Sequence, residues 1–190
     1  MNENESEISE VLRYWIWSGF YGEDEVQEML DDLLEEEAEE GMQADEDTLR
    51  DYISEEFERK ADAEADWPEV TDCDRLDAVF AAMEDEGICA LQNAGNTLSD
   101  GLSDVAQALH ERGPEHYYGY CFYHGQDLER AIDGNGLTLA FGDLDDNPVK
   151  MVRVGEAVVA ALQAAGFETV WDGTADKRID IPKIDWKRRG

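Results

Sequence analysis

The first 70 residues carry 26 acidic side chains against 4 basic ones, and this density restricts the folds open to the chain more than any other feature. A segment of net charge −22 becomes compact only if its carboxylates stay in water while its apolar side chains meet on one side. The apolar residues recur at the spacing this needs. They run Val11, Leu12, Trp15 and Ile16, then Val26, Met29, Leu30, Leu33 and Leu34, then Leu49, Tyr52, Ile53 and Phe57. Three amphipathic helices are expected, separated near Gly19 to Gly22 and near Gly41 to Asp45, with Asp45 and Thr48 supplying capping chemistry to the third. Trp67-Pro68 closes the region, because proline cannot continue a helix and restricts the residue before it. The reading therefore divides the chain into an acidic helical region, 1–66, and a mixed α and β domain, 67–190.

Beyond the proline the pattern changes. A fourth helix is expected from Thr71 or Asp72, with Leu76, Val79, Phe80 and Met83 on its apolar face and Gly87 as its stop. Strands are expected at Ile88 to Leu91, Tyr117 to Tyr123, Leu137 to Phe141, Phe167 to Trp171 and Lys177 to Ile181. Helices are expected at Asp100 to His110, Gln126 to Ile132 and Val149 to Ala165. Asp133-Gly134-Asn135-Gly136 and Asp172-Gly173 carry residues that tolerate positive φ and read as chain reversals. The fold class is α+β: a mixed sheet of four or five strands covered by helices and preceded by the acidic helical region.

The whole chain of 190 residues has a formal charge of −33 and is 42% hydrophobic, so the charge overlies a sequence able to form a core. Such a surface repels phosphate and an anionic leaflet, which argues against nucleic-acid and membrane binding and makes a basic protein the natural partner. The same acidity would also serve solubility alone. Cys73, Cys89 and Cys121 are odd in number and lack C-x-x-C spacing, so a reducing, cytoplasmic setting without a disulfide framework or zinc ribbon is expected. The acidic start Met1-Asn2-Glu3-Asn4-Glu5 lacks the basic and apolar regions of a secretion signal.

Several constellations invite chemistry. Cys121, His124 and Asp127 place a thiol, an imidazole and a carboxylate at one strand-to-helix junction, the composition of a nucleophile site. Residues three apart in an extended strand point to opposite faces, however, so a turn would have to fold one back. The alternative roles are a buried thiol, a turn at His124-Gly125 and a first-turn acid at Asp127. Asp143, Asp145, Asp146 and Asn147 could present hard oxygens to calcium or magnesium, but they lack the central glycine and distant glutamate of an EF-hand loop, and a cap for the helix after Pro148 is the simpler role. The loop Asn93 to Gly101 follows a strand, where α/β proteins often bind ligands, yet its glycines are out of register for a phosphate fingerprint and its charge is wrong for an unaided phosphate site. His110 and His116, either side of Gly113-Pro114, read as surface histidines. No cofactor is expected.

Two aromatic groups could supply contact area to a partner: Tyr117, Tyr118, Tyr120, Phe122 and Tyr123 on one strand, and Trp15, Trp17, Phe20 and Tyr21 near a glycine-marked bend. The basic residues Lys177, Arg178, Lys183, Lys187, Arg188 and Arg189 are concentrated near the end of the sequence. They could hold RNA, but internal pairing with the acidic helices is the simpler role.

The stretches Trp67 to Asp77 (WPEVTDCDRLD), Leu91 to Gly95 (LQNAG), Tyr120 to Arg130 (YCFYHGQDLER), Leu139 to Asp146 (LAFGDLDD) and Trp171 to Thr174 (WDGT) resemble an uncharacterised bacterial domain family. The resemblance covers about two thirds of the chain. It implies a bacterial origin and a cytosolic setting, and no activity comes with it. From Leu137 to Gly173 the order of strand, acidic loop, long helix, strand and Asp-Gly turn is also similar to the end of the acidic regulator B of bacterial ribonuclease E. That similarity implies a way for an acidic protein to act without a catalytic site, by occupying a nucleic-acid enzyme.

The functional expectation is a non-enzymatic acidic protein that inhibits or neutralises a basic partner, such as a toxin or a nuclease. Glu35, Glu36, Glu37, Glu39 and Glu40 would set encounter, with Tyr118 and Tyr120 adding contact. The alternative is a small enzyme using Cys121, His124 and Asp127, and a scaffold or dimer without a small ligand is a third.

Overall fold

A computed structural model describes residues 2–39 and 44–190, except for the side chains of Glu3, Glu36 and Glu39. The chain forms two compact units, Met1–Thr71 together with Lys187–Gly190, and Asp72–Trp186.

The first unit is three helices, α1 (Glu3–Ser18), α2 (Glu23–Glu39) and α3 (Glu46–Glu64). Two of them, α1 and α3, begin at side-chain caps. Asn2 and Glu5 form a reciprocal capping box on α1, which ends at Gly19 in the left-handed region at φ 73°. Asp45 accepts from the Thr48 amide to cap α3. The expected break near Gly41 lies outside the described residues. Ile8, Leu12, Ile16, Val26, Leu30, Leu49 and Ile53 form the core, with Trp15, Trp17 and Tyr21 packed against it. The amphipathic spacing thus closes on itself. Trp17 donates its indole N–H to Glu56 at 2.7 Å, and this carboxylate, only 3% exposed, also pairs with Arg59. The last residues join this unit through aromatic rings: Arg188 lies 4.3 Å from the Phe20 ring centre and Arg189 5.8 Å from that of Trp67.

The second unit is an open mixed sheet with helices on it. Its order is α4 (Asp72–Asp85), β1 (Ile88–Leu91), α5 (Leu98–Arg112), β2 (Gly119–Phe122), α6 (Gly125–Ile132), β3 (Leu137–Asp143), α7 (Pro148–Ala164) and β4 (Ile179–Ile181). The strands lie in chain order: β1 is parallel to β2, while β2 with β3 and β3 with β4 are antiparallel. Four strands form among the described residues. The expected strand at Phe167 to Trp171 reduces to a single bridge, Val170 with Asp180, because Trp171 turns its indole N–H to the carbonyls of Thr174 and Lys177, and its ring meets Phe141 edge-on.

Strand alternation sorts the sheet's two faces. One carries Gly119, Cys121, Leu139 and Phe141 beneath α7, with Tyr123 following against Phe80 of α4 and Trp186. A Cβ on Gly119 would lie 2.5 Å from Val154, so this strand and α7 approach only because that side chain is missing. The other face carries Tyr120, Phe122 and Ala140, which with Ala94 and Val105 form the cluster beneath α5. Gly101 of α5 lies directly over the Phe122 ring, and a Cβ there would come within 2.2 Å. The motif-bearing residues at the start of α4 secure the unit's ends: Arg75 donates to the Ala165 carbonyl at 2.9 Å, and Asp72 accepts the Asp185 amide at 3.0 Å.

Candidate functional site

The parallel pairing of β1 and β2 continues into the loops that follow them. Ala94 donates to the Tyr123 carbonyl at 2.9 Å, Gly125 to that of Gly95 at 2.9 Å, and Gln126 to that of Asn96 at 3.3 Å. This zipper sets the first turns of α5 and α6 side by side, outside the carboxyl ends of two parallel strands, the position from which α/β sheets present binding residues. Both helices open with capping boxes. On α5, Thr97 and Asp100 exchange hydrogen bonds. On α6 the cap is a histidine, His124, partnered by Asp127.

His124 and Asp127 are 5% and 2% exposed. The His124 Nδ1 accepts the Asp127 amide N–H at 3.4 Å, and Nε2 lies 3.0 Å from the Asp127 carboxylate. A ring whose Nδ1 accepts a backbone proton carries its own proton on Nε2, which then donates to the carboxylate. Burial lowers the imidazole pKa below its ordinary value, Arg178 adds to this and Asp127 opposes it. Both ring nitrogens are thus committed to holding the helix start. Arg178, at the entry to β4, closes the cluster, with Nη1 at 2.9 and 3.1 Å from the two Asp127 oxygens and 3.3 Å from His124 Nε2. A carboxylate this deep is retained because a guanidinium and the capped turn satisfy it.

Cys121 takes no part in this cluster. It is fully buried, on the sheet face beneath α7, while alternation sends His124 after Phe122 towards the α5 side. Burial pushes its thiol up, away from the thiolate a nucleophile requires. Asp143, 2% exposed, spends both oxygens on its own loop, accepting the amides of Asp145 and Asn147. Asp145 pairs with Lys150, and Asp146 turns the chain at φ 53°. Asn147 caps α7, with Pro148 at its first position. Among the described residues no three His, Cys, Asp or Glu side chains are placed to hold a metal ion.

The residues around Arg178 enclose two adjoining hollows on the α5 side of the sheet. One, of about 600 Å³, is lined by Thr97, Ser99, His124, Gln126, Asp127 and Arg130. The other, of about 160 Å³, is lined by Leu102, Tyr120, Ala140 and Phe141, with Lys177 at its edge. Leu98 and Arg178 belong to both. The part of Arg130 and Arg178 was hidden in the sequence, where they stand 48 positions apart; the one legible signal was the pair of loops after consecutive strands.

Of the acidic residues expected to meet a partner, Glu35 is exposed and Glu37 half-buried on α2; the side chains of Glu36 and Glu39, and Glu40 entirely, lie outside the described residues. Tyr118 is 47% exposed, whereas Tyr120 is half-buried and stacks on Phe122 with ring centres 6.2 Å apart. In the terminal basic group, Lys183 pairs with Glu168 and Arg178 with Asp127, each within the second unit. No described helix is long and apolar enough to cross a membrane.

A family model described as "Domain of unknown function (DUF6891)" matches residues 1–190. No curated protein and no solved structure matches the chain.

Proposed function

The chain belongs to the family described as a domain of unknown function (DUF6891), and we propose from its own residues that it is a non-enzymatic acidic binding protein that inhibits or neutralises a basic protein, such as a toxin or a nuclease. The observation that carries this reading is the use of acid in the helical unit. Its first 70 residues hold a net −22, yet its apolar side chains close into their own core, leaving Glu23, Asp24, Glu25, Glu28, Asp31, Asp32 and Glu35 exposed along α2. A helix face of one sign accelerates encounter with a surface of the other and disfavours wrong partners. Tyr118, the exposed ring of the second unit, is a separate candidate contact. The enzymatic alternative draws less support, because the His124 nitrogens are spent within its own turn and the Cys121 thiol is sealed.

The test is affinity capture from the native host's lysate with the tagged chain, beside a variant in which Glu35, Glu36, Glu37, Glu39 and Glu40 are glutamine. Capture is run at physiological salt and at ~0.5 M, where the Debye length falls to about 4 Å. The expected result is one stoichiometric basic protein that survives the higher salt and whose association with the variant is at least ~10-fold slower. A diffuse set of basic proteins lost with salt, or an association rate and salt dependence unchanged in the variant, would remove the acidic helix from the mechanism.

A further inference from the structure

The crevice beside Arg178 differs in character from the rest of this molecule. Its two hollows contain three cationic side chains, Arg130, Lys177 and Arg178, against two carboxylates, Asp127 and Asp176, in a chain whose overall charge is −33. His124 adds no charge, since its Nδ1 accepts a backbone proton. The lining is therefore net +1. At physiological ionic strength the screening length is about 8 Å, so a bound group feels this lining and the two acids that border it, Asp100 beside His124 and Asp172 beside Lys177, more than the remaining acids.

The cations are also available. Arg178 commits Nη1 to the Asp127 carboxylate and leaves Nη2 without a protein partner among the described residues. Arg130, exposed on α6, makes no ion pair among the described residues. The Ser99 hydroxyl and the Gln126 amide stand on the same wall. Two guanidiniums with free N–H edges and neutral donors beside them fit a planar carboxylate. The neighbouring hollow of about 160 Å³ brings Leu98, Leu102, Tyr120 and Ala140 together beside Asp176, Lys177 and Arg178. That volume suits one six-membered ring, since an apolar cavity of about 150 Å³ takes up benzene. Leu98 and Leu102, one helical turn apart on α5, are 45% and 42% exposed and adjoin on this wall.

We propose that this crevice binds a small organic monoanion, a carboxylate carrying one aromatic or compact apolar group, with the carboxylate between Arg130 and Arg178 and the apolar group against Leu98, Leu102 and Tyr120. The lining carries at most net +1, bordered by Asp100 and Asp172, so the second charge of a phosphate ester would go unmatched. The site lies wholly within the second unit and is independent of the basic-partner reading.

Calorimetric titration of benzoate into the full chain, with amide NMR to locate the shifts, tests the assignment. Benzoate is expected to bind saturably and to move the amides of Leu98, Ser99 and Arg130. Benzamide, of the same shape without the charge, is expected to bind at least ~10-fold more weakly, and phenyl phosphate no more tightly than benzoate. Arg130→Gln and Leu102→Trp alter exposed side chains, so both variants are expected to fold; the first weakens benzoate at least ~10-fold and the second, which fills the apolar hollow, abolishes binding. Absence of saturable binding up to ~20 mM benzoate, equal affinity for benzamide, or full affinity in both folded variants would overturn the proposal. So would tighter binding of a phenylalanine-terminated tripeptide than of benzoate, which would assign the crevice to a chain end.

Discussion

The two units handle acidity in opposite ways. In the helical unit most carboxylates stay in water and the helices close an apolar core beneath them; Glu56, tied to Trp17 and Arg59, is the deepest exception. In the mixed unit the informative carboxylates are inside: Asp127 and Asp143 are each 2% exposed, one capping α6 and holding Arg178, the other tying the turn before α7. Solvated carboxylates set long-range charge and contribute little to stability, whereas buried ones fix local geometry and are costly to remove. The difference teaches that the same residue type is a surface property in one unit and an architectural part in the other.

The sharpest break in that comparison comes from the cores. Phe122→Ala empties the space under Gly101 and is expected to cost about 3–5 kcal/mol, and Leu12→Ala in the helical core about 2–5 kcal/mol, read by urea denaturation. Either change leaving the midpoint untouched would show that its cluster does not hold its unit together. Next in size is Asp127→Asn, which weakens the cap and leaves Arg178 without its carboxylate. Because the Arg178 side chain is 39% exposed, water takes over part of its solvation, and the expected loss is about 1–3 kcal/mol.

A smaller effect follows from His124, whose pKa is lowered from 6.5 by burial. A depressed histidine leaves the unfolded chain binding the extra proton first as the medium is acidified, so its contribution to stability is present above pH 6.5 and is lost as pH falls through the folded value. His124→Asn keeps a capping side chain and removes the titration, so the dependence of stability on pH below 6.5 is expected to flatten; an unchanged slope would assign that dependence to other groups. Smallest of all, Glu35→Gln on exposed α2 should shift stability by no more than about 0.5 kcal/mol in either direction. A loss as large as that from Asp127→Asn would erase the distinction between solvated and architectural acids.

Much of the fold was legible because its signals are local. Apolar spacing marked α1 to α3, Gly87 marked the end of α4, and the Asn147-Pro148 pair marked the start of α7. The strand expected at Phe167 to Trp171 was not, since a β-prone run becomes a strand only where a partner has free backbone, and here one residue, Val170, finds one. At the candidate site, the adjacency of His124 and Asp127 was visible as a three-residue spacing, but the role of a histidine as helix cap was not.

By itself the sequence determined the α+β class, the amphipathic helices of the acidic region and the family to which the chain belongs. Periodicity, caps and glycine stops act within a few residues, so a linear reading reaches them. Only the tertiary structure decided that Cys121 lies on one face of the sheet while His124 turns to the other, that Arg178 reaches Asp127 across 51 positions, and that Arg130 stands on the same crevice. Those placements depend on strand order and on the parallel register of β1 with β2, and register is set by contacts between distant segments whose pairing no local pattern specifies.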